Sequence, residues 1–492
     1  MNVQFLQKFR KIETILLGIL LYGIVLVYTY QFFQIANKYE AWTTDEFFYY
    51  VEAKAIAAHN IYQTPASLDG NTSYIGDFGF HGISYAIKDG WLSKLFFQTE
   101  DPPLVFINFL TCLATLALIL LFKPFALNTR IKIALVVATH YVLFAFTLSY
   151  MQETIHYFFA VLALRYLYLL YTKENASQNN YLMYYLIIII LATTFRYGWF
   201  MWGAGLLPLA NNFKSFSKWT LVAIVLLFFG VFISRYIAAP YPYDDVMAEK
   251  LISVEKFSIL DSLKMISQKF FNNLHLFLTP AERLATTCMR FLLLALLIIN
   301  SWYAIVKRNK FTIACALIGW VYLIACLAFY FVFWAYDERA LALLNPLLAF
   351  SLIGNFNSFV FYPVTVVQLW LLPGIVETTK NRNMGCIAVN APSPERISRE
   401  GSYSKIKDLI TDDHSVVIDL PIEFVIHANQ NYFVDFPIVT SKGYPIHYRF
   451  YREWKDLRGT HPSNYIFFHE NSPPLNKELI YSDKWMYLYR NF

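Results

Sequence analysis

Apolar stretches of bilayer-crossing length recur along this 492-residue chain, and that pattern constrains its fold more than any other feature. A spanning helix needs about 20 mostly apolar residues. Stretches of this kind lie at 12–33, 103–122, 132–149, 155–171, 181–195, 198–211, 219–239, 286–306, 311–335, 340–354 and 358–374. In lipid every backbone N–H and C=O must be satisfied internally, so such a chain folds as a polytopic α-helical membrane protein. The expectation is about eleven transmembrane helices. The pair 181–195 and 198–211 is short and reads also as one broken or re-entrant element. Charged residues make up only 15%, against about 25% in soluble domains, which excludes an ordinary soluble enzyme. The 45 Phe and 36 Tyr exclude disorder. A net charge of +6 with no concentrated basic face gives no basis for a nucleic-acid partner.

Orientation follows from Lys and Arg in short loops, which collect on the cytoplasmic side. Lys8, Arg10 and Lys11 precede the first span, which reads as a retained signal anchor rather than a cleaved signal peptide. Alternate connections carry Lys123, Arg130 and Lys132, then Lys173, then Lys214 and Lys218, then Lys307, Arg308 and Lys310. The N-terminus is therefore expected inside, and 34–102, 150–154, 240–285, 336–339 and the tail from about 375 outside. Cys112, Cys288, Cys315, Cys326 and Cys386 have neither metal spacing nor a disulfide framework. Asn71-Thr72-Ser73 is a formal glycosylation sequon on the outer side.

The expected organisation is a transmembrane domain over 1–374, with outer loops 34–102 and 240–285, and a small extracytoplasmic α/β domain over 375–492. In that tail, Ser415–Leu420, Tyr432–Asp435, Tyr465–His469 and Trp485–Tyr489 read as strands, with a short helix between Ser404 and Ile410. Its Asp419, Asp435 and His469 follow no catalytic spacing, and a folded cap over the membrane part is the plain reading.

Three features carry chemistry. Thr43 and Glu46 match a capping box, predicting a helix over 44–59 with Phe48, Val51, Ala55 and Ala58 near one face and Asp45 in its first turn. An acid there usually serves only the helix dipole. Glu153 lies in a very short outer turn, Tyr150–His156. It is either an interfacial acid facing water or a second carboxylate near Asp45. Two such carboxylates would hold a divalent metal or divide acid and base roles. Arg196, Arg235 and Arg339 stand on the outer side against the charge bias. They pair with Asp337, Glu338 or lipid headgroups, or they bind phosphate, for which Arg is a bidentate ligand. Arg165, inside a span, either snorkels or packs within the bundle.

These residues resemble the GT-C integral-membrane glycosyltransferases, especially the branch of protein O-mannosyltransferases and lipid A aminoarabinose transferases. Asp45-Glu46 with Tyr49 on a helix ending near Tyr62 is similar to that family's Asp-Glu motif and juxtamembrane helix. Gly79–Tyr85, containing His81, stands where the family has a Pro- or Gly-rich turn. Glu153 stands at the start of the fourth span, where many members carry Asp, and Arg339 with Asn345-Pro346 is similar to a late Arg-to-Pro segment. The absence of a Trp-Trp-Asp triplet departs from the oligosaccharyltransferase branch.

The resemblance implies inverting transfer of a sugar from a polyprenyl-phosphate donor to an acceptor hydroxyl on a glycan, lipid or protein. Asp45 would be the general base, and Glu153 would orient the acceptor or, with Asp45, bind a divalent metal; no cofactor is certain. Arg196 and Arg339 would neutralise the lipid phosphate. Glu46, Tyr49, His81, Arg235 and Asp337 complete the expected substrate-binding set, with Glu46 chiefly structural. The expected location is the bacterial inner (plasma) membrane, with the active site and C-terminal domain facing the periplasm. Two alternatives stand beside this. A flippase or transporter of lipid-linked sugars would want mid-span charges. A polysaccharide polymerase would place its chemistry in later loops such as 240–285, with Asp244, Asp245, Lys250 and Lys269.

Overall fold

The computed structural model describes residues 3–35, 38–39, 44–67, 83–173, 178–236, 259–281, 284–329, 339, 341–355, 360–389, 393–421, 436–451, 464–468 and 477–491. Helix α1, Val3–Ile35, buries Leu21, Ile24, Tyr28, Phe32 and Ile35. That spacing is one stripe of a 3.6-residue period, and the other sides, with Leu16, Ile19, Tyr22 and Tyr30, are exposed. A helix that is apolar all round, with one stripe packed on protein, suits lipid on its other faces.

Helix α2 is Thr44–His59, followed by the two-residue strand β1, Ala66–Ser67. Next come α3, Ile83–Leu92; α4, Leu104–Leu120; α5, Leu127–Ala138; α6, Tyr141–Thr147; α7, Glu153–Thr172; and α8, Gln178–Phe195. Among the described residues, five helices are long and apolar enough to cross a membrane: Gln7–Ile35, Glu153–Thr172, Phe213–Gly230, Leu284–Lys307 and Lys310–Ala328. The pair α5 and α6, bent by 64°, makes a sixth if it is one span. The protein is thus an integral membrane protein, but length and composition of helices do not reach eleven spans.

Part of the shortfall has a physical cause: three of the apolar segments are not continuous α-helix, while Leu104–Leu120, Gln178–Phe195 and Phe361–Val389 are continuous. At the α5–α6 bend, Thr139 turns its hydroxyl to Leu135 O and to Gln368 Oε1, and side chains that compete for the backbone ladder bend helices. Leu344–Leu348 passes into a π-helical turn, Ala349–Ile353. The segment expected at 198–211 is a 13-residue 3-10 helix, Tyr197–Leu209. At about 2.0 Å per residue it is about 26 Å long, nearly the apolar thickness of a bilayer. It runs beside α7: Trp199 bonds His156 near one end of α7, and Tyr171 near the other end bonds Gly205 O. Gly205 is required there, because a Cβ would sit 2.8 Å from Ile318 Cδ1 and 2.9 Å from Tyr185 Oη. This geometry favours a crossing over a re-entrant turn.

Two groups of charged residues lie apart in the bundle. At one end Lys132 Nζ lies 2.7 Å from Glu13 Oε1, and Asn128 and Tyr362 also bond Glu13. These residues neighbour the Lys- and Arg-rich connections. At the other end lie Asp45, Glu153, Arg196 and Arg339. After α9, Phe213–Tyr236, follow α10, Ile259–Leu278; α11, Leu284–Lys307; α12, Lys310–Phe329; α13, Leu344–Leu348; and α14, Phe361–Val389.

Beyond α14 the chain forms α15, Pro394–Ser404, and α16, Ile406–Leu409, then a sheet of β2, Val416–Pro421; β3, Ile446–Tyr451; β4, Tyr465–Phe468; β5, Glu478–Ser482; and β6, Tyr487–Arg490. The order is β1-β3-β2-β4-β6-β5, parallel through β4 and antiparallel at β6 and β5. The expected strands at 415–420, 465–469 and 485–489 have counterparts, as does the short helix; Tyr432–Asp435 and His469 lie outside the described residues. Strand β1 comes from the segment between α2 and α3, so that segment is stitched to the sheet: Ala66 pairs with Tyr448 and Ser67 with Arg449. Both faces of β2 and β3 are buried, and Asp419 and Arg449, register partners, form a buried bidentate pair at 2.5 and 2.8 Å.

Candidate active site

The site is built on the turn between α6 and α7. Its backbone is held by side chains from three other helices. Asn108 of α4 donates its amide to Ser149 O and Met151 O, at 2.9 and 2.8 Å. Tyr85 of α3 donates to Tyr150 O at 2.9 Å. The Tyr150 N–H donates to Glu46 Oε1 at 3.1 Å, and the Tyr39 hydroxyl to the same oxygen at 2.7 Å. Gln152 Nε2 donates to the Tyr49 hydroxyl at 2.8 Å. The turn delivers Glu153 as the first residue of α7.

Four charges converge there. Arg339 Nη1 lies 3.3 Å from Asp45 Oδ2 and 3.8 Å from Glu153 Oε1, and its Nη2 is 3.4 Å from the same Asp45 oxygen. Arg196 Nη2 lies 3.6 Å from Glu153 Oε1. The longer contacts are ion pairs rather than hydrogen bonds. The two acids differ in access: the Glu153 side chain is 2% exposed, whereas Asp45 is 25% and Arg339 20% exposed. Glu153 therefore does not face water; it is a buried counter-ion bridging two arginines. Asp45 is the more accessible of the two carboxylates. Arg339 and Arg382 both lie near the Phe146 ring, with guanidinium carbons 5.7 and 5.9 Å from its centroid.

Other sequence expectations are altered. Glu46 ties α2 to the α6–α7 turn, a tertiary role beyond a capping box; Thr43 lies outside the described residues. Helix α2 is buried well beyond the single face expected, with Phe47, Phe48, Tyr49, Val51, Ala53, Ala55, Ile56 and Ala57 all inside. Tyr49 sits close enough to the four charges to feel each one. Burial above all, and then Asp45 and Glu153, push its phenol well above the usual range, so it stays neutral. Arg165 packs its guanidinium 5.3 Å from the Phe122 ring centroid. His81, Asp337 and Glu338 lie outside the described residues, as does the Arg235 side chain.

Asn108, Tyr39, Tyr85, Gln152 and Arg382 escaped the sequence reading. Asn108 alone had a signal, as an amide inside the apolar run Leu104–Leu120. For a metal, the fit is poor. The Arg339 guanidinium occupies the space between Asp45 and Glu153, and no group of three or more His, Cys, Asp or Glu among the described residues is placed to hold an ion.

No family model and no curated protein matches the chain. Solved structures do. The Archaeoglobus fulgidus oligosaccharyltransferase, in complex with Zn and sulfate, aligns with 86% of this chain at a TM-score of 0.50 and 14% identity. ArnT from Cupriavidus metallidurans, in the apo state, aligns with 96% of this chain and 97% of its own, at a TM-score of 0.50 and 10% identity. The chain has the GT-C fold. It spans 62% of the length of the oligosaccharyltransferase. At these identities the likeness is one of fold, and the GT-C frame accounts for the order of the helices but not for any side chain's role.

Proposed function

We propose that this protein is a membrane glycosyltransferase that moves a sugar from a polyprenyl-phosphate donor to an acceptor hydroxyl, with inversion, at the outer face of a bacterial inner membrane. The observation that carries this reading is the convergence of Asp45, Glu153, Arg196 and Arg339, from four distant segments, at one end of a membrane bundle. An ion-paired, half-open cluster at that depth suits a substrate with a lipid tail and a phosphate head.

Asp45 is the accessible carboxylate and acts as general base on the acceptor hydroxyl as its oxygen attacks the anomeric carbon. A positioned carboxylate in this role contributes about 10²–10⁴-fold. The bond from the anomeric carbon to the phosphate oxygen breaks, and Arg339 and Arg196 take up the charge left on the lipid phosphate. Arg339 is shared between Asp45 and the departing phosphate, so its rotation toward the phosphate frees the base. Glu153 holds both arginines in register from behind.

The test uses purified protein in lipid nanodiscs with a radiolabelled polyprenyl-phosphate sugar and a hydroxyl acceptor. Asp45→Asn should lower turnover by about 10²-fold or more while leaving donor binding. Arg339→Lys keeps the charge but loses the fork that reaches both carboxylates, and should cost about 10-fold or more. Undiminished transfer by Asp45→Asn would remove the proposed base.

A further inference from the structure

Below the ion-paired layer, one turn along α7, lies a second pair of matched residues. Glu153 faces Arg196, and His156 faces Trp199. The spacing is three residues on both elements. Residues three apart share a face of α7, and Arg196 is the extended residue that leads into the 3-10 helix bearing Trp199, so each segment presents its pair side by side.

His156 is 2% exposed and Trp199 1%. The Trp199 indole N–H donates to His156 Nδ1 at 3.1 Å. Indole nitrogen is a donor only, so Nδ1 must carry a lone pair, and the neutral imidazole then has its proton on Nε2. That Nε2–H has no hydrogen-bond partner among the described residues. Four positions back on α7's face, Gln152 spends its amide nitrogen on Tyr49 and leaves Oε1 unpartnered too. An orphaned buried donor has lost its water without gaining a bond in return. A chain that tolerates one beside its active site, and uses a tryptophan to hold the tautomer, has a use for it. Arg196 and Lys88 are the cations whose charge reaches the ring.

We propose that His156 Nε2–H is a preset hydrogen-bond donor to an oxygen of the donor substrate, with Trp199 as the positioning residue that holds its tautomer. This rests on the glycosyl-transfer reading above. The oxygen belongs either to the lipid phosphate, which the neighbouring cations favour, or to a sugar hydroxyl, which could also donate to Gln152 Oε1. In either case the bond strengthens the hold on the donor without adding charge to a site whose four ions already balance.

Three variants test it in nanodiscs. From the same Cα, a glutamine amide nitrogen reaches the place of imidazole Nε2, whereas that of asparagine reaches the place of Nδ1. His156→Asn should therefore lose the contact and His156→Gln should keep it. Trp199→Phe frees the tautomer and should fall between. Two readouts are taken: binding of a sugar-free polyprenyl phosphate, and kcat and KM with the sugar-bearing donor, each alongside a melting temperature. Removing one donor from a developing oxyanion costs about 10²-fold, so His156→Asn should fall by that order and His156→Gln should recover to within about threefold of wild type. A loss already present with the sugar-free lipid assigns the phosphate; a loss confined to the sugar-bearing donor assigns the hydroxyl. If folded His156→Asn matches wild type in both readouts, the inference fails while the transferase reading stands. If wild type itself neither binds nor turns over the lipid donor, both fail. Equal losses in His156→Gln and His156→Asn would also overturn it, since that outcome marks packing rather than a positioned N–H.

Discussion

Replacing Asn108 with leucine keeps the side chain's branched, four-heavy-atom shape and deletes the amide that holds the turn before Glu153. Two bonds go, to Ser149 O and Met151 O, both on buried residues. Interhelical hydrogen bonds in membranes average about 0.6 kcal/mol each, which gives a floor near 1 kcal/mol for the pair. A buried group left unsatisfied costs about 1–3 kcal/mol, so two dry carbonyls raise the loss to about 2–6 kcal/mol. The turn keeps its ties to Tyr85, Glu46 and Tyr49, so the protein should fold. What loosens is the start of α7, and with it the carboxylate that registers Arg196 and Arg339. A misplacement of about 1 Å near the chemistry can cost about 10²-fold in rate. The assay is kcat for sugar transfer and melting temperature on the same nanodisc sample, with Asn108→Leu expected to lose 10-fold or more in kcat at a temperature where it is fully folded. Wild-type kcat in a variant whose melting temperature has dropped would refute the idea that Asn108 positions Glu153; it would then be a stability residue only.

Two further outcomes concern the sheet. Arg449→Met strands the Asp419 carboxylate and should destabilise by about 3–5 kcal/mol, whereas Asp419→Leu with Arg449→Met should recover most of it; a double variant no more stable than the single, measured by chemical or thermal unfolding, would contradict the buried pairing. His447 donates Nδ1–H to Thr64 O beside β1, and burial above all lowers its pKa from 6.5 to about 4. The unfolded chain then takes up the proton first, so stability is full above about pH 6.5 and falls as the pH drops toward about 4. Amide exchange at β1 and β3 should quicken over that interval in wild type, and His447→Phe should flatten the response; an unchanged response in the variant would assign it to another group.

Much of the architecture was legible because it is written in local patterns. The apolar run of α1, the extent of α2 and α7, and the strands at 416–421 and 465–468 all follow from period and polarity. The span count was not legible, because apolar runs do not reveal whether they coil as α, 3-10 or π helix. Tyr197–Leu209 coils as a 3-10 helix where the Tyr171 and Tyr185 hydroxyls donate to its carbonyls and the glycine at 205 allows close approach.

By itself, the sequence determined that this is a membrane protein, which of its few charges gather at each end, and that acids and arginines share one end. Hydrophobicity and charge placement act residue by residue, so a single string carries them. Only the tertiary structure decided that Arg339 reaches across 294 residues to Asp45, and that Glu153 is buried rather than wet. The same holds for the Asn108 clamp on the turn and for Trp199 selecting the proton position on His156. Those are distances between segments with no sequence relation, set by how helices pack, and an ion pair or a tautomer exists only once both partners are in place.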